Sequence, residues 1–337
     1  MKGEVVASTE IGSRRRSRFV FASRAAMFRL AILFVLITLV LTWCWYSMIR
    51  MPGASFRGAL PSLAEDRVTL AAQLQADVQM LAGTIGPRSP LSHRKMGEAA
   101  QYIIDRLAQS GFGAHEEVPV PAGAQTPNII VEVIGKQRPS EIIVVGAHYD
   151  TYPGTPGADD NASGVAGVLA LAAAFAEKPQ TRTLRFAFFA NEEPPNFQTP
   201  SMGSWVCARQ CKAKGENIVA MWSLESIGYY SDAPASQQYP TPLSLLYPSQ
   251  GNFIAFVGNF ESRELVRRTT DAFRRLAQFP AEGAALPGVI SGVGWSDHWA
   301  FWQEGYPALM VTCTAPFRNP NYHLATDTPD TLDYERA

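Results

Sequence analysis

The sequence predicts an α/β domain, a mostly parallel sheet covered by helices on both faces, carried behind an apolar N-terminal helix. Three observations lead there. From residue 128 onward, apolar runs of strand length alternate with amphipathic stretches of helix length. Several of those runs are continuously apolar, as strands buried on both faces are. Residues 30–49, "LAILFVLITLVLTWCWYSMI", carry no charge and are long enough to cross a bilayer as a helix. A chain of 337 residues, 47% of them hydrophobic, holds one sizeable domain plus appendages and argues against disorder. Its net charge of −1 offers no overall basic surface for nucleic acid.

Residues 1–29 carry Lys2, Arg14, Arg15, Arg16, Arg18, Arg24 and Arg29. The positive-inside rule therefore keeps this end cytoplasmic and exports the chain after Arg50, giving a single-pass protein of the cell membrane with a periplasmic or extracellular domain. Trp43, Trp45 and Tyr46 would sit at the outer interface. A cleaved signal peptide is the competing reading, but its apolar region is shorter and ends in small residues, and "PGAS" at 52–55 matches poorly. Residues 50–66 read as a linker, and the domain proper as 67–337.

The domain opens with helical patterns at 67–81 and 95–110. Strands are expected at 128–134, 142–147, 184–190, 218–224, 253–257 and 308–312, and helices at 163–177, 201–214, 262–276 and 296–304. The final "TPDTLDYERA" reads as the start of a further helix. Cys44 falls in the apolar segment, Cys207 and Cys211 are four apart on an expected helix, and Cys313 follows a strand. No CxxC spacing points to a metal, so all four cysteines are read as structural.

Ligands of open α/β sheets bind beyond the carboxyl ends of the strands. There the strand "IIVVGA" delivers His148 and Asp150, "LRFAFFA" delivers Asn191, Glu192 and Glu193, "IVAMWSL" delivers Glu225, and "ALMVT" leads to the loop with His323. Asp159 and Asp160 lie in the glycine-rich stretch "GTPGADDNASG". Crowded carboxylates repel and desolvate poorly unless a cation gathers them. Two histidines with several carboxylates are the nitrogen and oxygen donors zinc accepts, in more than the number one tetrahedral ion needs. This points to a two-metal site, with His148 and His323 on different ions, Asp160 between them, and Asp150 orienting His148 from behind. Taken singly, each piece has a plainer explanation. A strand-end histidine is usually a satisfied polar residue, "NEE" a solvated loop, and "ADDN" a turn or cap. Four strand ends agreeing is what separates the two accounts. His93 and His115 stand outside the set and are read as surface residues.

The motifs "AHYDT", "GADDNASG", "NEE", "SLESIG", "SDHWAFWQEGYPA" and "NPNYHLATDT" occur in the order and approximate spacing of the co-catalytic zinc exopeptidases that include aminopeptidase Y and the bacterial leucyl aminopeptidases. The chain resembles that family from about residue 69 to its end. The resemblance implies a three-layer sandwich with a mixed central sheet, two zinc ions and hydrolysis of peptide substrates. It places His148 and Glu225 on one zinc, Glu193 and His323 on the other, Asp160 between them, and Glu192 as general base; Asp159 becomes a neighbour of the ligands. Glu225 departs from the family, most members of which carry aspartate there, and so leaves the identity of one metal open to another divalent ion. Asp297 and His298 are expected near the pocket but not on the metals. Tyr152, Phe197, Trp205, Tyr229, Tyr230, Trp295 and Trp299 are candidates for an apolar mouth, walled by 194–200 and 231–249. Two rivals remain: a glutaminyl cyclase-like enzyme with one zinc, and a catalytically silent receptor or scaffold.

Overall fold

The computed structural model describes residues 23–113, 115–120 and 126–337. Most of the basic stretch assigned to the cytoplasm, 1–22, lies outside the described residues. The chain divides into two units between Cys44 and Trp45. The described part of the first is helix α1, Arg24–Cys44, with no buried residue. With the turn at its end, Arg24–Ile49 is apolar and long enough to cross a membrane, with mean hydropathy 2.4.

In the second unit α2 (Glu65–Val78) and α3 (His93–Gln109) precede the sheet. The strands are β1 (Glu116–Val118), β2 (Asn128–Val133), β3 (Arg138–His148), β4 (Arg182–Phe189), β5 (Asn217–Glu225), β6 (Ile254–Gly258), β7 (Ala281–Ala285) and β8 (Ala308–Thr312). They lie in the order β1-β2-β4-β3-β5-β8-β6-β7. The inner strands β4, β3, β5 and β8 are mutually parallel, whereas β2 meets β4 and β6 meets β8 in antiparallel register. The expected mixed, mostly parallel sheet is thus present, with helices α4 (Gly164–Phe175), α5 (Gly203–Ala213), α6 (Arg263–Leu276) and α7 (His298–Gln303) packed on it.

Parallel inner strands explain the runs without alternation. Phe186, Phe188 and Phe189 of β4 and Val144 and Ala147 of β3 are nearly or fully buried and share one core with Val165, Val168 and Leu169 of α4. Burying a phenylalanine or valine of this kind contributes about 1.5–3 kcal/mol. The helix α4 approaches β5 so closely that a Cβ on Gly164 would collide with the Leu224 carbonyl oxygen, which is why glycine opens it. Elsewhere the sheet is less fully clad: Ile143, Ala220, Trp222 and Phe256 line an open groove beside Phe273 of α6, reached by Asp333, Glu335 and Arg336.

Two strands were not expected. β1 has three residues, and β7, "AEGAA", has no large apolar side chain; it is held by parallel pairing with β6. The last residues form a short 3-10 turn, Pro329–Thr331, and no α-helix. Residues 50–66 include side chains seated on the domain: Met51 is buried against Phe256, Val266 and Leu309, and Ser55 Oγ accepts the Ala281 N–H at 2.9 Å.

Candidate metal centre

The parallel strands point their carboxyl ends to one edge. Asn191, Ser226 and His323 all have left-handed φ, at 59°, 49° and 59°. Such conformations cost about 1–3 kcal/mol for residues other than glycine and collect at functional sites. Each of them here is a candidate ligand or lies beside one or beside Glu192.

The expected residues converge. His148 Nε2 stands 3.3 Å from Asp160 Oδ1 and 3.2 Å from Glu225 Oε2. His323 Nε2 stands 3.0 Å from Asp160 Oδ2 and 3.4 Å from Glu193 Oε1. Among the described residues these form two three-donor groups that share Asp160, one oxygen facing each. Two donors on a tetrahedral zinc at 2.0–2.1 Å stand about 3.3 Å apart, and the four separations bracket that value. Glu193 Oε1 is buried without a hydrogen bond, and its contact to His323 Nε2 is a long one. Such an orphan is costly unless a cation satisfies it, so the donor set fits a pair of divalent ions.

The supporting shell was only partly expected. Asp150 is fully buried, and its carboxylate accepts the backbone N–H groups of Glu192 (3.1 Å) and Glu193 (2.9 Å). It meets His148 through its main chain, the carbonyl lying 3.2 Å from Nδ1 while the nearest carboxylate oxygen is 3.6 Å away. Glu225 is held at both oxygens: Ser226 Oγ donates to Oε1 and Ser296 Oγ to Oε2, each at 2.8 Å. Asp327 accepts the N–H groups of Asp159 and Asp160. The buried guanidinium of Arg88 donates to the carbonyls of Tyr149, Pro156 and Gly157 and so pins both ends of the loop leading to Asp160. Ser296, Asp327 and Arg88 escaped the sequence reading because neither periodicity nor a strand end marks them, and Ser226 escaped it although it directly follows Glu225. Asp159 is taken up by Gly228 N–H and Asn319 Nδ2, and turns away from the donor groups.

Electrostatics follow from the crowding. Burial pushes the Glu192 carboxyl well above the usual range, with Glu193, Asp297 and Glu225 adding to it against the pull of His148. Burial likewise raises Glu193 to about 7, beside Asp160. Against burial, which would lower it, Asp160 and Glu193 carry His323 up to about 10. His148 is raised despite its burial by the charges of Glu192 and Glu225.

The donors line a cavity with Glu192, Pro194, Phe197, Trp295 and Tyr322. Tyr152 and Tyr322 stack on His323 with ring centroids at 4.2 and 3.9 Å. Of the other aromatics expected at the mouth, Trp205 and Trp299 pack on each other and Tyr230 packs on Phe279. Tyr322 was overlooked although it adjoins His323 in sequence. A second, apolar cavity shares Glu225, Trp295 and Tyr322 with the first and continues between Leu243, Tyr247, Leu286, Val293, Met310 and Phe317. His298 is buried, with Nε2 on the Val293 carbonyl at 2.8 Å, and burial lowers it to about 4. His93 and His115 are exposed, and all four cysteines are free thiols.

Comparison with known proteins agrees with this architecture. Residues 128–337 match the profile of peptidase family M28. The chain is similar to the YfbL protein of Escherichia coli (strain K12), 38% identical over 276 residues that make up 78% of this chain and 83% of that one. It is similar to a probable leucine aminopeptidase of Trichophyton verrucosum, 28% identical over 259 residues, 71% of this chain and 62% of the fungal protein's length. Among solved structures it resembles LapB from Legionella pneumophila, with TM-score 0.62 and 25% identity over 85% of this chain and 74% of that one. The chain belongs to peptidase family M28 and is a metallopeptidase.

Proposed function

We propose that this protein is a di-zinc aminopeptidase, held to a membrane by its N-terminal helix, that removes N-terminal residues from peptides. One observation carries the proposal: two three-donor groups share Asp160, and Glu192 stands beside them with its Oε2 4.0 Å from His148 Nε2. His148, Asp160 and Glu225 would hold one zinc and Asp160, Glu193 and His323 the other. When bound, the pair supplies a water of lowered pKa and a Lewis acid for the substrate carbonyl. Glu192 takes the proton of that water and returns it to the leaving amine, one carboxyl serving as base and then acid. Asp150 fixes the backbone of Glu192 and Glu193, so the base and one ligand are aligned by the same carboxylate.

The name of the fungal relative supports aminopeptidase specificity, and the apolar cavity adjoining Glu225 offers a place for an uncharged side chain next to the scissile bond. The apolar, unburied α1 supports the anchor, with the domain after Arg50 exported.

The test pairs elemental analysis with product analysis. Close to two zincs per chain and release of N-terminal amino acids from a peptide pool are expected. One zinc with cyclisation of N-terminal glutamine would favour the cyclase, and no zinc after supplementation would favour the scaffold. Glu192→Gln should keep its metal and lose turnover by at least about 100-fold, the usual share of a general base; full activity would remove Glu192 from the mechanism.

A further inference from the structure

We propose that the domain surface around residues 45–50, the 243–247 turn and the 287–292 loop is itself seated in the headgroup boundary of a lipid bilayer. The proposal rests on the anchor reading of α1. Counted from Leu30, where the uncharged run begins, 20 helical residues rise about 30 Å, the thickness of the hydrocarbon core, so a membrane-spanning helix would complete the crossing near Ile49. The end of that run is not a free tether. Met48 and Ile49 pack with Leu243 and Ile290 around the buried Leu286 and Val293. Arg267 donates to the carbonyls of Tyr46 and Arg50 at 3.3 and 2.6 Å, and Arg274 to that of Pro52 at 3.1 Å. Met48 and Ile49 are the last residues of the uncharged run, so in an anchored chain the loops packed on them would lie near the end of the crossing.

Those loops present apolar tips. Leu245, two residues after Leu243, is 84% exposed, and Val289, beside Ile290, is 93% exposed. Exposed apolar side chains scattered singly need no explanation. Here two of the most exposed in the domain are carried by the two loops that pack on Met48 and Ile49, and the segment ending in those residues also exposes Trp45 and Tyr46, at 45% and 56%. Arg50 and Arg267 lie over the Tyr46 ring at 5.3 and 5.8 Å. Trp and Tyr with neighbouring arginines and apolar tips form the side-chain set that partitions to a headgroup boundary.

The experiment uses the full chain with Cys44→Ser, reconstituted in nanodiscs of phosphatidylcholine and phosphatidylglycerol. Spin labels are placed singly at Leu245→Cys, Val289→Cys, Leu36→Cys in α1, and Leu91→Cys, which is exposed at the start of α3. Collision with oxygen is compared with collision with a water-soluble nickel chelate. The ratio at 245 and 289 should exceed that at 91 by several-fold. A ratio equal to that at 91 overturns the proposal, as does protection of both sites from both reagents, the signature of a covering protein. The label at 36 decides the anchor separately. If 36 is in lipid while 245 and 289 are in water, the anchor stands and the seated surface falls. If 36 is in water while 245 and 289 are in lipid, the anchor falls and the surface stands.

Discussion

The substitution Asp150→Asn tests whether one buried carboxylate organises the centre. Its two oxygens have separate tasks, accepting the N–H groups of Glu192 at 3.1 Å and Glu193 at 2.9 Å. The amide is nearly isosteric, but whichever way it sits, one of those N–H groups faces an NH2 and loses its acceptor. A hydrogen bond to a charged group is worth about 1.5–3 kcal/mol, and a buried unpaired N–H costs about 1–3 kcal/mol. An offsetting gain arises from removing one negative charge beside Glu192, Glu193 and Asp160. That gain is largest without metal, when nothing else neutralises the carboxylates. Urea denaturation should therefore show a loss of about 2–3 kcal/mol in the zinc-loaded protein and a smaller one after chelation. Zinc affinity and kcat/KM should fall about 10- to 100-fold, as when an orienting partner is removed from other metal sites. Unchanged zinc affinity with stability within about 0.5 kcal/mol of the parent, the range of an ordinary surface substitution, would refute the reasoning.

Three further outcomes are expected. In the chelated protein, burial raises Asp159 to about 6 and Glu193, Asp297 and Asp327 to about 7, above unfolded values of about 4, and His323 is raised to about 10 from about 6.5. Each binds its proton more tightly when folded, so each contributes stability at low pH that is lost as pH rises through its folded value. Asp160, held low by His148 and His323 against burial, has the opposite sign, but its loss falls below about pH 4. Urea midpoints should thus decline from pH 5 to pH 8 without metal, and zinc should flatten the decline. Ser296→Ala removes a 2.8 Å hydrogen bond from the Glu225 carboxylate; a loss of about 1.5–3 kcal/mol in stability and of less than tenfold in zinc affinity is expected by denaturation and metal titration. Gly164→Ala forces a methyl against the Leu224 carbonyl and should cost about 1–3 kcal/mol in the same denaturation assay.

The inner strands were legible because burial on both faces demands continuous apolar runs, and a polar residue directly after such a run is conspicuous. That is how His148, Glu192, Glu193 and Glu225 announced themselves. β7 was not legible, since "AEGAA" owes its conformation to β6 and not to its own side chains. Helix boundaries were off by one or two residues, with α5 starting at Gly203 and α7 at His298. The groups that hold the donors were hidden for a different reason. Ser296 reaches Glu225 from 71 positions away and Arg88 reaches Pro156 from 68 away, so their roles exist only once the sheet has assembled. Asp150 was noticed, but the sequence paired its carboxylate with His148 and not with the N–H groups of Glu192 and Glu193: the strand ends at His148, and beyond it alternation no longer tells where a side chain points.

Because the two oxygens of Asp160 serve different donor groups, the two positions cannot be filled independently. A first ion would fix the carboxylate plane and so pre-arrange an oxygen for the second, while its charge would oppose the second's arrival. Which of these prevails sets the shape of a binding isotherm. Sigmoid uptake would mean that pre-arrangement outweighs repulsion, and two separated steps would mean the reverse. In scarce zinc, the first case gives chains that are either full or empty and a sharp activity threshold. The second gives a standing population with one ion, whose activity reports which position fills first.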